Sequence, residues 1–236
     1  MKKLTIIVPC YNEISTLSKV IEKLLKIKNI KKQIIVIDDC SYDGSKNVIL
    51  RYKKNGYINA VFHKENLGKG ACIISAQKLV RGDIVIVQDA DLEYNPKDIP
   101  KLIKPIINLK YKAVYGSRVL GRNYFDNLKN FSHWIRIVGN LFLTKFSNII
   151  NSQTLTDAHT CYKVFDAKLF KKIKLKEKNF NFCPEITTKI SNIGIKIHEI
   201  PINYKGRDYS QGKKIKSSDG IKAILTLVKY KFFKND

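Results

Sequence analysis

The chain has 236 residues, 44% of them hydrophobic, with 44 basic against 20 acidic side chains and a formal net charge of +24. That size and apolar content suit one domain with a sizeable core and exclude an intrinsically disordered chain. The charge suits an anionic partner such as nucleic acid, anionic lipid or a phosphorylated substrate; an abundance of Lys, Asn and Ile, as AT-rich coding produces, accounts for it equally well, so charge alone selects no function.

In chain order, "LTIIV" (4–8) reads as a buried strand, and Leu17, Ile21, Leu24 and Leu25 give residues 14–27 helical spacing. "QIIVID" (33–38) is a second strand, and the turn "DDCSYDGS" starts a helix near Ser45. A short strand at 60–62, a helix at 68–80 and a strand at 83–88 follow, then the strand "AVYGSR" (113–118). The second half is less regular. It holds a helix over about 129–150, the segment "TDAHTCYKVF", a short helix near 184–192, the strand "KIHEIPINY" and a terminal helix from about 219. Apolar strands alternating with helices predict an α/β fold with a mostly parallel sheet, covered on both faces and joined by right-handed crossovers. In such sheets ligands bind at the carboxyl ends of the strands, where "PCYNE", "DDCSYDGS" and "QDADLEY" all fall.

Cys10, Cys40, Cys72, Cys161 and Cys183 are odd in number with no CxxC pair, which fits reduced thiols in a cytosolic chain. Asn12 and Glu13 break the first apolar run too early for a signal peptide, and no apolar run approaches the roughly 18 residues of a membrane span. His63, His133, His159 and His198 show no metal-ligand spacing and read as structural.

The chemistry concentrates in "IVIVQDADLEYNP" (84–96), an apolar strand ending in Asp89, Asp91 and Glu93. Crowded carboxylates repel one another unless a cation sits among them, and oxygen-only ligands suit a hard divalent ion, Mg²⁺ or Mn²⁺. A D-x-D alone is common by chance, and the competing explanation is a solvated turn with helix-capping Asp residues. "NLGKGA" lacks the G-x-x-x-x-G-K-[ST] pattern of a phosphate loop and reads as a helix start, with Lys69 as a candidate phosphate contact.

Taken together, "VPCYNE", "IDDCSYDGS", "NLGKGA", "QDADLEYNP" and "YGSR" resemble, in order and spacing, family 2 glycosyltransferases of the GT-A fold. "TDAHTCYKVF", "FCPEITTKI" and "GRDYSQGKKI" resemble the branch of dolichyl- and polyprenyl-phosphate mannose and glucose synthases. The resemblance implies a Rossmann-like catalytic domain over 1–218 and a C-terminal amphipathic helix over 219–236. It places Pro9, Tyr11 and Glu13 at the base and ribose, Asp39 at the nucleoside with Ile37 and Asp38 nearby, and Asp89, Ala90 and Asp91 beside the ribose and diphosphate. Asp91 and Glu93 would hold the metal. Arg118 would lie near sugar and phosphates, and Arg207 with Lys213 (or Lys214) would close on the diphosphate. Asp89, Asp91, Arg118 and Arg207 are the residues expected to carry catalysis; Arg122 and Arg136 are lesser candidates.

The implied reaction is inverting hexose transfer from a nucleotide sugar to a polyprenyl phosphate, with GDP-mannose the leading donor and UDP-glucose or another UDP-sugar second. The lipid would be met peripherally, at the cytoplasmic face of a membrane, directly or through a separate membrane protein. Two segments offer apolar stripes for that contact: Ile135, Val138, Phe142, Phe146 and Ile149, and Ile221, Ile224, Leu225, Val228 and Phe232 with Lys222, Lys229 and Lys234 elsewhere on the helix. Ordinary core packing is the alternative for both. Transfer to a saccharide hydroxyl would instead need a base, for which Asp157 and Glu185 are the candidates. A basic nucleic-acid-binding protein would have no use for the acidic strand end, so no nucleic acid is expected.

Overall fold

The structure is a computed structural model that describes residues 2–108, 110–121, 131–207 and 218–233. Seven strands form one sheet in the order β3-β2-β1-β4-β6-β5-β7. β1 (Leu4–Cys10) lies parallel to β2 (Lys32–Asp38) on one side and to β4 (Ile84–Val87) on the other, and β2 carries β3 (Asn59–Phe62) in parallel. The crossovers are α1 (Leu17–Leu25), α2 (Ser45–Lys54) and α3 (Lys69–Gln77). Successive strand side chains point to opposite faces, and here both faces are covered. Ile6, Val8, Ile34 and Val36 pack with α1, while Ile7, Ile35 and Ile37 pack with Cys72, Ile73 and Ala76 of α3. Two apolar clusters with the sheet between them explain why these strands read as continuous apolar runs.

The second half departs from the parallel pattern. A 3₁₀ turn (Pro96–Asp98) leads into α4 (Ile99–Ile107), and β5 (Ala113–Ser117) follows. α5 (Phe131–Asn151) precedes β6 (Lys163–Asp166), which runs antiparallel between β4 and β5. α6 (Ala167–Lys172), α7 (Phe182–Asn192), β7 (His198–Pro201) and α8 (Ser218–Phe232) complete the fold, with β7 parallel to β5 at the sheet edge.

Two elements carry no sequence signal of their own. α4 is punctuated by Pro100 and Pro105, yet Pro100 sits in the first turn, where a missing N–H costs nothing, and Leu102, Ile103 and Ile106 are buried. β6 is four residues long and contains Lys163, which is wholly buried. The Lys163 ammonium donates to the Ala158 carbonyl at 2.8 Å and lies 3.5 Å from the Tyr115 ring centroid. Burial pulls its pKa down to about 8.

The loops at the carboxyl ends of β1, β2 and β4 each contain a non-glycine residue in the left-handed region: Asn12 (φ 51°), Cys40 (φ 65°) and Leu92 (φ 63°). Such backbone is uncommon for L-residues and persists only where its surroundings hold it. All three fall at the edge where ligands bind in parallel sheets.

The helix α8 packs against α5 and α7 through Ala223, Thr226, Leu227 and Tyr230. Lys229 Nζ and Tyr230 Oη each donate to Glu177 at 2.9 Å. The terminal helix is therefore part of the body of the domain.

The first turn of α3 presses against the backbone of residues 177–179. A Cβ on Gly70 would stand 2.0 Å from the Glu177 carbonyl oxygen and 2.9 Å from that of Asn179. Backbone on both sides leaves no flexible group to give way. Gly70→Ala is expected to cost about 1–3 kcal/mol, the usual penalty of overpacking, measured as a lowered denaturant midpoint at unchanged slope.

Candidate active site

A cavity of ≈ 710 Å³ opens at the carboxyl ends of β1, β2 and β4. Pro9, Tyr11, Glu13, Asp39, Lys69, Asp89, Ala90, Asp91, Glu93, Arg118 and Arg207 lie on its wall. Ile37 does not. It falls on the α3 side of β2, fully buried in the core with Ile7 and Ile35, so its place near a nucleoside is corrected to a packing role. Arg122, Lys213 and Lys214 lie outside the described residues, as does the side chain of Arg136.

The acidic corner is bound by an arginine from the far end of the chain. Arg207 donates from Nη1 and Nη2 to the two Glu13 oxygens, both at 3.1 Å, and from Nη2 to Asp91 at 2.9 Å. Its backbone N–H donates to Glu93 at 2.8 Å. Glu93 also accepts from Tyr204 Oη at 2.7 Å. Arg207 Nε stands 3.5 Å from Glu93 but is buried without a hydrogen-bond partner. One guanidinium thus faces three carboxylates. Burial, then repulsion from Asp89 and Glu93, push Asp91 up to about 7 despite the opposing pull of Arg207. Oxygen-only donors with surplus negative charge are the chemistry that suits a hard divalent cation.

Asp89 has its own counter-ion. Lys69 Nζ, reaching across from α3, pairs with it and donates to Cys161 Sγ at 2.9 Å. Two of the three Lys69 N–H donors are thus engaged by a carboxylate and a thiol.

Asp39 anchors the loop before α3. Its Oδ1 accepts the Leu67 N–H at 3.0 Å and its Oδ2 the Gly68 N–H at 2.8 Å. His63 Nδ1 is 2.7 Å from Oδ1, and His63 Nε2 is 2.9 Å from Ser75 Oγ. Asp39, His63 and Cys72 have ligand atoms mutually within 4.8 Å. Asp39 and His63 thus form a hydrogen-bonded strut for the loop before α3, with acceptor capacity left on Asp39 Oδ2, which makes one of these bonds.

At the other end of the cavity, Arg118 is clamped to Asp157. Nε donates to Oδ2 at 2.6 Å and Nη2 to Oδ1 at 2.8 Å, and the Arg118 backbone N–H adds a third bond at 3.1 Å. Burial alone would raise the Asp157 pKa, yet the charge and hydrogen bonds of Arg118 hold it below the ordinary carboxylate range. The Asp157 N–H in turn donates to Glu199 at 2.9 Å. Arg118 also lies 5.1 Å from the Tyr204 ring centroid. Glu185 is fully buried and takes the Lys176 and Glu177 N–H groups at 2.8 and 2.9 Å, with Lys189 Nζ at 2.7 Å.

The model of glycosyl transferase family 2 matches residues 5–174 of this chain. The protein belongs to that family. Over 251 residues it is 26% identical to the UDP-N-acetylglucosamine–dolichyl-phosphate N-acetylglucosaminyltransferase of Methanococcus voltae, covering 99% of this chain and 98% of the relative. It is 29% identical to a dolichyl-phosphate β-glucosyltransferase of Trichomonas vaginalis, covering 98% of this chain and 73% of that one. The solved glucosyl-3-phosphoglycerate synthase of Mycobacterium tuberculosis, in complex with Mn²⁺, UDP and phosphoglyceric acid, matches all of this chain and 80% of its own, with a TM-score of 0.70 at 15% identity. At that identity the likeness shows the shared GT-A fold.

Several residues of this glycosyltransferase's site have no sequence signal. Tyr204 braces Glu93 and Arg118 from the end of a strand-like run, and His63 is a solitary histidine after a short strand. Asp219 and Lys222 bring the start of α8 onto the cavity wall. Glu13, expected at the base and ribose, lines the cavity with Pro9 and Tyr11 and also pairs with Arg207 in the carboxylate corner.

The Arg207 guanidinium and a divalent cation compete for the same oxygens. Mn²⁺ is expected to bind nucleotide-free Arg207→Gln more tightly than the unaltered protein, measured by electron paramagnetic resonance titration. Equal or weaker binding would show that the two cations do not share the carboxylates.

Proposed function

We propose that the protein transfers a hexose from a nucleotide sugar to a polyprenyl phosphate, with inversion at the anomeric carbon. One observation carries the choice of acceptor. A hydroxyl nucleophile needs a base, and both carboxylates that the sequence offers for the task are committed: Asp157 to Arg118, and Glu185 to two backbone N–H groups and Lys189. A phosphate monoester, with a second pKa near ~6, is already ionised at neutral pH and needs no base. The names of the two dolichyl-phosphate relatives support the same acceptor. Those relatives transfer N-acetylglucosamine and glucose, which favours a UDP-sugar over the GDP-mannose expected from motif resemblance.

The chemistry is then a problem of repulsion between two anions. An acceptor phosphate oxygen forms a bond to C1 of the hexose as the bond from C1 to the diphosphate breaks, and the nucleoside diphosphate departs with the electron pair. Mg²⁺ or Mn²⁺ held by Asp91 and Glu93 would neutralise charge on the diphosphate. Arg207, released from those carboxylates, would meet phosphate oxygens with its planar fork. Arg118 commits Nε and Nη2 to Asp157, so its guanidinium is pre-oriented beside the cavity, with Nη1 left for a ligand oxygen. Pro9, Tyr11 and Asp39 would take the nucleoside at the opposite end.

We place the lipid on the outer faces of α5 and α8. No helix among the described residues is long and apolar enough to cross a membrane. Trp134, Val138, Phe142 and Ile149 of α5 are nonetheless exposed, as are Ile221 and Leu225 of α8 and Phe232 and Phe233 at its end. α8 starts at the cavity, so an isoprenoid chain lying along Ile221 and Leu225 would have its phosphate beside Lys222. Basic helices with apolar faces favour anionic interfaces.

Purified protein with Mn²⁺, short polyprenyl phosphate and a panel of UDP- and GDP-sugars is expected to glycosylate the phosphate, most rapidly from a UDP-sugar. Asp91→Asn should lose at least 100-fold in rate, on the order of one electrostatic contact at the reacting phosphates. Transfer to saccharide hydroxyls alone would overturn the lipid reading. The double variant Ile221→Glu/Leu225→Glu should bind phosphatidylglycerol vesicles more weakly in a flotation assay, at an unaltered melting temperature; undiminished binding would remove α8 from the membrane contact.

A further inference from the structure

His159 lies in the segment between α5 and β6 and forms part of the cavity wall. Its ring is hydrogen-bonded to the backbone of Leu143 on one side. The other nitrogen, Nε2, is shielded from water and has no hydrogen-bond partner. Buried polar atoms in folded proteins are almost always paired, so an orphan on the wall of a binding cavity points to a ligand. The charged groups around the ring are Lys163, Asp157 and Arg118. Burial, reinforced by the positive charge of Lys163, pulls its pKa down to about 4. The ring is neutral at physiological pH, and the proton it carries is the one shared with Leu143. Nε2 is then an acceptor only.

That excludes the phosphates of both reactants from the position. Diphosphate and acceptor phosphate present only acceptor oxygens at neutral pH, and two acceptors facing each other repel. The nucleoside belongs at the Pro9, Tyr11 and Asp39 end, whereas His159 interacts with the Arg118–Asp157 pair at the other. What remains is a hydroxyl-bearing ring. Resting on the proposed reaction, we infer that His159 determines sugar specificity: its unpartnered Nε2 accepts a hydrogen bond from a hydroxyl of the donor hexose. A site built to accept from a hydroxyl rejects an epimer that turns the hydroxyl away, because the nitrogen is left buried and unpaired.

Binding separates this role from a structural one. UDP-glucose, UDP-N-acetylglucosamine and GDP-mannose are titrated calorimetrically against UDP and GDP, with Mn²⁺ present throughout. His159→Ala is expected to lose affinity for the preferred nucleotide sugar by about tenfold to a hundredfold, the span for one buried group left unpaired. Its affinity for the nucleoside diphosphate should be unaltered, and its preference among the sugars should narrow. His159→Gln, which keeps an acceptor oxygen, should recover part of the loss. If His159→Ala does not fold, His159→Phe fills the same space without the nitrogen and is read in the same way. Equal loss for sugar-bearing and sugar-free nucleotides, or no loss for either, overturns the inference and leaves the reaction standing. An unaltered protein that binds no nucleotide sugar overturns the reaction, and the inference with it.

Discussion

The site is organised by an electrostatic imbalance. Glu13, Asp91 and Glu93 are brought together at the strand ends, and buried like charges are tolerable only with a cation between them. Arg207 supplies that cation in the structure, reaching Glu13 across 194 positions of sequence. The contact ties the end of β1, the end of β4 and the chain beyond β7 into one corner. Asp89, next to these carboxylates, is already balanced by Lys69 and adds repulsion without sharing Arg207.

A second ion pair does different work. Arg118 and Asp157 are joined by three hydrogen bonds, and Glu199 holds the Asp157 backbone from behind. Breaking such a buried pair is far costlier than its net contribution to stability, so its service is geometric: it fixes a guanidinium beside the cavity and denies Asp157 any role as a proton acceptor. The two arginines differ in setting: Arg118 is fixed to one carboxylate, whereas Arg207 is shared among three. His63 steadies Asp39 through its carboxylate, whereas Glu199 steadies Asp157 through its backbone N–H.

The parallel half of the fold is legible in the sequence because its signals are local. Apolar runs end in Asp, Asn and Gly clusters, and the parallel topology then dictates that those clusters share one edge. The carboxylates of "QDADLEY" stand out for the same reason. What could not be read depends on packing between distant segments. β6 hides behind Lys163, whose charge argues against a core strand until the Ala158 carbonyl and the Tyr115 ring are seen around it. Nothing in "KIHEIPINY" marks Tyr204 as the brace for Glu93, and nothing near Glu13 announces Arg207. Ile37 shows the converse limit: two residues from Asp39 in sequence, it is buried in the apolar cluster under α3 and not on the cavity wall.

Among the described residues the longest helix, α5, buries Thr144, Ser147 and Asn151 along with Ile137 and leaves Trp134, Val138, Phe142 and Ile149 in water. Hydrogen bonds help to fasten it, as from Asn148 to the Leu155 carbonyl at 2.7 Å. The oily side remains an unspent reserve of interfacial free energy, about 25 cal/mol for each Å² eventually covered. A polypeptide with such a face is expected to adsorb at air–water and oil–water boundaries and to hydrophobic plastic.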